Sequence, residues 1–213
     1  MTHAVLPAFE VASRQRPIAV VSTPVVEQHY GVGLAPLEAR EPTPALAPFV
    51  AVEVGLGPVW AEASVQVSHV DGWAASAVLQ DGRLRLEVGP EGARHVHRSR
   101  RHGRAGTPPD RLSLTLTGTQ LTALSHEAGQ WIARARVDLA DLADGPEPRD
   151  PAWLGGLISG WSCAEPGAVT DWSAGPFGQL GLRDLRVASH ADGSPYRMGE
   201  GDVLPAGEIG IGF

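Results

Sequence analysis

Three tryptophans, Trp153, Trp161 and Trp172, fall in a loop-rich stretch that also holds Ser162 and Asp171. A flat indole face meets the C–H face of a sugar ring, and a carboxylate beside it accepts hydrogen bonds from ring hydroxyls. Trp161, Trp172 and Asp171 are therefore candidate carbohydrate-binding residues. Large aromatics also fill cores, and for Trp161 and Trp172 both readings stand, whereas Trp60, Trp73 and Trp131 read as core. A second chemical candidate is Asp184. Leu180 and Leu182 share one strand face, Arg183 and Asp184 follow, and the apolar parity then flips to Leu185 and Val187. Such a flip marks a bulge or a change of sheet. In the first register Asp184 points inward, where a carboxylate must be paired, hydrogen-bonded or catalytic. Pairing with Arg183 or Arg186 explains it as well as catalysis does.

The run from Arg94 to Arg104 (RHVHRSRRHGR) is the sharpest charge feature. It has the charge to grip a polyanion such as nucleic acid or an acidic polysaccharide, and His95 and His97 project from one strand face as a metal pair would. It lacks acidic or Cys ligands nearby and aromatics to stack bases, so the expectation is an exposed hairpin whose charges discourage edge pairing. Asp138, Asp141 and Asp144, spaced by three, read as the solvated face of a helical turn and lack the EF-hand pattern. No metal site and no cofactor is expected. A phosphate loop, a dinucleotide fingerprint, a His-Glu-x-x-His helix, a Gly-x-Ser-x-Gly elbow and the Glu-x-Asp-x-x-Glu strand motif of sandwich glycanases are all missing.

These residues sit in a chain of 213 residues, 43% hydrophobic and 19% charged, with 26 Gly and 18 Pro. That composition suits a globular protein of many short elements joined by turns. All 17 basic residues are Arg, and the net charge of -7 argues against general nucleic-acid binding. Cys163 is the single cysteine, so no intramolecular disulfide forms, and it reads as a small buried residue. No apolar run is long enough to span a bilayer and none resembles a secretion signal, which makes cytoplasmic the expected location, with no membrane partner.

The elements that must position the candidates are strands. Residues 61–67 alternate strictly, with Ala61, Ala63, Val65 and Val67 apolar. Residues 74–80 and 83–88 flank Asp81-Gly82, a strong hairpin signal. A further short strand is expected over 93–98. Residues 111–117 bury Leu112, Leu114 and Leu116; 120–125 and 131–137 flank a turn at 127–129. In the last strand Trp131, Ala133, Ala135 and Val137 are expected inside and Arg134 and Arg136 outside. Residues 139–154 predict one or two helical turns, 157–161 a strand, and Trp172 precedes a closing strand at Phe177. The fold class is all-β, an antiparallel β-sandwich. Residues 1–48 read as an N-terminal arm with one or two short strands, such as 17–21, packing on the body, residues 49–188 as the sandwich, and 189–213 as a C-terminal extension. Ile209 to Phe213 alternates like a strand, which suggests truncation or pairing back onto the sandwich.

Three segments, RLSLTLTGTQLTALSHEAGQWIARARVD at 111–138, RDPAWLGG at 149–156 and FGQLGLRDLRVASHADGSPYR at 177–197, resemble the N-terminal part of bacterial glycoside-hydrolase-like proteins of the family 43 type. In these a concanavalin A-like jelly roll, similar to laminin-G and lectin-like domains, precedes a five-bladed propeller. The resemblance implies a non-catalytic carbohydrate-associated module whose partner is a carbohydrate or an adjoining propeller. It also implies that Asp184 corresponds to a general base opening the first blade. Residues 188–213 hold at most a strand or two of such a blade, with Pro205 interrupting, and the second carboxylate that glycosidases need would lie on a later blade. Two further readings follow: a family 43-like hydrolase completed by further sequence, and a ligand-free interaction domain.

Overall fold

The structure is a computed structural model that describes residues 20–31, 33–45, 49–58, 62–90, 92–142 and 145–178. Asp184, Asp144, Trp60 and the 209–213 segment lie outside the described residues. In chain order the strands are β1 (Val26–His29), β2 (Glu38–Pro42), β3 (Phe49–Leu56), β4 (Ala63–His69), β5 (Trp73–Gln80), β6 (Arg83–Pro90), β7 (His95–His97), β8 (Arg111–Thr117), β9 (Gln120–Glu127) and β10 (Gln130–Asp138). A 3-10 turn at Leu139–Asp141 and the short helix α1 (Pro151–Gly155) follow, then β11 (Leu157–Cys163) and β12 (Val169–Pro176). Among the described residues they form two six-stranded antiparallel sheets, β1-β12-β3-β8-β9-β10 (sheet I) and β2-β11-β4-β5-β6-β7 (sheet II). The expected all-β sandwich is present.

The strands that alternate in sequence pack as the alternation requires. Val50, Val52, Val54, Leu112, Leu114, Leu116 and Leu121 from sheet I meet Val65, Val67, Ala75, Ala77, Leu84, Leu86 and Val88 from sheet II in one core. The β5–β6 hairpin turns on Asp81 (φ 51°) and Gly82 (φ 69°), both left-handed, as a two-residue turn with the right twist demands. At the short helix, the Asp150 carboxylate accepts from the Ala152 N–H at 2.9 Å and Pro151 occupies the first position. This seats Trp153 and Leu154 in the core. No helix among the described residues is long and apolar enough to cross a membrane.

Several expectations need correction. The last strand among the described residues is β12, and Trp172 lies inside it; the strand expected from Phe177 onward falls almost wholly outside the described residues. Within the stretch read as an arm, two short strands do form, β1 and β2, at positions other than the expected 17–21; they extend sheet I beside β12 and sheet II beside β11. In β10 a register shift between Ala133 and Ala135 breaks the simple parity. Ala133 is exposed and Trp131 half-buried, while Arg134, expected outside, is buried. A bulge places two residues opposite one, so every side chain on one side of it changes face relative to the other. The run 94–104 is a short strand at the edge of sheet II followed by a loop, consistent with charge protecting an edge.

Candidate functional site

The pairing of sheet I places one residue from each of its strands in a single transverse row. Trp131 on β10 stands opposite His126 on β9, His126 opposite Arg111 on β8, and Arg111 opposite Gly55 on β3. Gly55 stands opposite Asp171 on β12, and Asp171 opposite His29 on β1. Since Val54 and Leu112 turn inward to the core, the alternating row faces outward. Neighbouring strands lie ~4.8 Å apart, so the row runs roughly 24 Å across the sheet.

Arg111 anchors this row. Its Nη2 donates to Asp171 Oδ1 at 2.6 Å, and its Nε donates to Glu53 Oε1 from two residues along β3. Gly55 makes that bridge possible: a Cβ there would lie 2.1 Å from Asp171 Oδ2, so any side chain would displace the carboxylate. Thr170 Oγ1 donates to the same Asp171 oxygen at 2.7 Å. Beyond Arg111, His126 Nδ1 lies 2.6 Å from Asp110 Oδ1, and its ring lies 5.2 Å from the Trp131 ring at 59°. Trp131 also packs, with Phe177, against a small cluster of Val20, Val21 and Ala51.

Burial raises the Glu53 carboxyl above the ordinary carboxylate range, and the facing Arg111 charge opposes that rise only in part. Burial alone would weaken the Arg111 guanidinium, but Glu53 and Asp171 hold its proton more tightly than usual. The sign for stability follows. A carboxyl with a raised folded pKa contributes stability that is complete below its unfolded pKa and is lost as pH rises through the folded value. Glu53→Gln keeps the neutral shape. Wild type should therefore lose thermal stability relative to that variant as pH climbs from acid to neutral, and melting curves across that range check it. A constant difference would show that Glu53 does not titrate as its burial requires.

The arrangement suits binding more than bond cleavage. A glycosidase places its acid and its nucleophile or base on either side of the scissile bond. Here the Arg111 guanidinium occupies the space between Glu53 and Asp171 and consumes an oxygen of each. What the row offers is a half-exposed indole, a guanidinium fork and carboxylate oxygens in one line, a pattern of apolar face and polar donors and acceptors.

Among the candidates that lie in described residues, Asp171 is thus the one that the fold builds into a cluster. Trp161 and Trp172 are not part of it: both are 0% exposed in the inter-sheet core. Tyr30 packs edge-on to Trp161 at 5.7 Å, and Trp172 Nε1 donates to Gln28 Oε1 at 3.0 Å. Their rings have no free face for a sugar, because Trp161 lies with Leu157 on the inward face of β11, and Trp172 with Ala174 on the inward face of β12. Glu53, Arg111, His126 and Trp131 were not singled out as binding residues. The missed signal for Trp131 is the β10 bulge, which no local pattern announces. Among the described residues no group of three or more His, Cys, Asp or Glu is placed to hold a metal ion. Asp138 serves as a cap, accepting from the Ala140 N–H at 3.0 Å.

The sequence matches no protein-family model and no curated protein. Several solved structures are similar, and two of them illustrate the likeness. One is a GH43 protein, BlXynB from Bacillus licheniformis, at 13% identity and a TM-score of 0.37, covering 60% of this chain and 26% of that one. The other is the CBM2 module of an evolved Dit from Lactobacillus casei BL23 phage J-1, at 15% identity and a TM-score of 0.33, covering 64% of this chain and 65% of that one. The chain thus spans less than two thirds of either. At these scores neither likeness bears on what the chain binds, which rests on its own residues.

Proposed function

We propose that this chain is a non-catalytic carbohydrate-binding β-sandwich whose ligand lies along the outer row of sheet I. The observation that carries the reading is the row itself: Trp131, His126, Arg111 and Asp171 aligned across the strands, with Gly55 leaving the gap over which Arg111 reaches Asp171. An indole stacks on the apolar face of a pyranose, while Arg111 and the carboxylates supply directional hydrogen bonds to its hydroxyls. Because the carboxylates and guanidinium already hold one another, they are oriented before a ligand arrives, which lowers the ordering cost of binding.

The test is affinity electrophoresis through gels containing a panel of soluble polysaccharides. At least one polysaccharide should retard the wild-type protein. Trp131→Ala, with its fold verified by circular dichroism, should bind about 30-fold more weakly, the cost of truncating an aromatic anchor. Arg111→Lys should also weaken binding, since an ammonium cannot bridge two carboxylates as a planar fork does. Absence of retardation by every polysaccharide, or wild-type retardation of the Trp131→Ala protein, would overturn the reading.

A further inference from the structure

A second surface carries an inference that goes beyond the outer row: a separate site and the charge class of its ligand. The loop after β7 presents Arg98, Arg100, Arg101 and Arg104, all exposed, at one margin of the sandwich. Two exposed arginines from other strands join them. Arg83 on β6 forms a backbone bridge with Arg104 and lines a shallow depression with Arg98; Arg136 on β10 lines a neighbouring depression with Arg98. Asp81 is the acid at these two rims. The ion pairs of the region are Arg85–Glu87 and Arg134–Glu127, and neither uses these six arginines. Six cationic forks stand together in a chain whose net charge is -7.

The loop is also held in shape. Its Gly103 N–H donates to the Ser99 carbonyl at 3.1 Å and the His102 N–H to Ser99 Oγ at 3.0 Å. Leu84 N–H donates to the Gly103 carbonyl at 2.7 Å, and Ala105 N–H to the Gly82 carbonyl at 2.9 Å. From below, the buried Arg134 donates through Nη1 to the Arg104 carbonyl at 2.8 Å and the His102 carbonyl at 3.2 Å. Its partner Glu127 accepts from the Gly106 and Thr107 N–H groups at 2.9 and 3.2 Å. A solvated edge strand needs charge, but it does not need a loop tied to a buried ion pair. Preorganised like charges are costly unless a ligand neutralises them.

We infer that this arginine margin binds an anionic polysaccharide, through carboxylate or sulfate groups spaced along its chain. Planar guanidinium forks match both oxyanions in bidentate fashion. Nucleic acid fits less well: residues 94–104 contain no Phe, Tyr or Trp to stack a base, and the acidic remainder of the protein opposes a densely charged duplex.

The experiment compares the wild-type protein with the triple variant Arg98→Ala, Arg100→Ala, Arg101→Ala, in which the exposed tip is truncated and the buried anchors are untouched. The probes are polygalacturonate, dextran sulfate, neutral dextran and duplex DNA, each at low and high salt. Polygalacturonate or dextran sulfate should bind with an affinity that falls as salt rises, and the triple variant should lose about tenfold or more. Which of the two binds identifies carboxylate or sulfate as the recognised group. Failure of both, wild-type affinity in the triple variant, or equal or tighter binding of duplex DNA would overturn the inference. The two readings fail separately. Neutral-glycan binding that Trp131→Ala abolishes, without any preference for the anionic polymers, removes this inference and keeps the outer row. Anionic binding that needs the arginines, with every polysaccharide that binds retarding the Trp131→Ala protein as it does wild type, keeps this inference and removes the outer row.

Discussion

Glu127→Ala is expected to destabilise the protein by about 3–5 kcal/mol, the usual result of leaving one member of a buried ion pair without its partner. The Arg134 and Glu127 side chains are 9% and 3% exposed, and Arg134 Nη2 lies 2.5 Å from Glu127 Oε1. Arg134 Nε also donates to Glu127 Oε1 at 3.1 Å and to Ser125 Oγ at 2.9 Å. Truncating Glu127 strands the guanidinium, the Ser125 hydroxyl and two loop N–H groups at once, so the 99–107 loop should loosen as global stability falls. Urea denaturation reports the first effect and amide exchange at Gly106 and Thr107 the second. A pH dependence follows from the same site. Burial alone would raise the Glu127 carboxyl, but Ser125, the Thr107 N–H, Arg134 and the Gly106 N–H together hold it below the ordinary range. Its contribution is therefore complete above the unfolded-state pKa and is lost as pH falls through the lower folded value. Glu127→Gln should flatten the acid limb of the stability curve, and an unchanged acid limb would sink this account.

Trp161→Ala and Trp172→Ala should each cost about 3–5 kcal/mol, because removing a fully buried indole forfeits its transfer energy and leaves a cavity. For a domain of this size that lowers the melting temperature by about 10 °C. The same substitutions discriminate between the two roles an indole can play. A solvent-facing platform would lose ligand affinity with little change in melting; a core indole loses stability first. Trp131→Ala should behave in the opposite way, with a smaller melting shift and the larger loss of binding. An unfolding midpoint near wild type for Trp161→Ala would contradict its place between the sheets.

The contrast between these tryptophans marks the limit of reading this chain as a string. The strands with strict alternation, β4, β6 and β8, and the Asp81-Gly82 hairpin were legible because a period of two and a left-handed turn are properties of neighbouring residues. So were the fold class and the presence of one or two helical turns within residues 139–154. The short polar strands β1 and β2 were not, since their pattern is weak and they form only by adding to the edges of finished sheets. Asp171 was legible as a chemical group, but its partners Arg111 and Glu53 lie 60 or more residues upstream along the chain from it and meet it only through the register of β12, β3 and β8.

The sequence by itself determined which residues alternate, where the hairpins turn and that the chain builds two apolar sheet faces, because those depend on local sterics and side-chain period. Only the tertiary structure decided which tryptophans are buried, that Arg134 turns inward to Glu127, and that Trp131, His126, Arg111 and Asp171 share one row. Those depend on a bulge and on pairings between distant strands, which are fixed by the competition among all edges and faces for partners and not by any residue's neighbours in the chain.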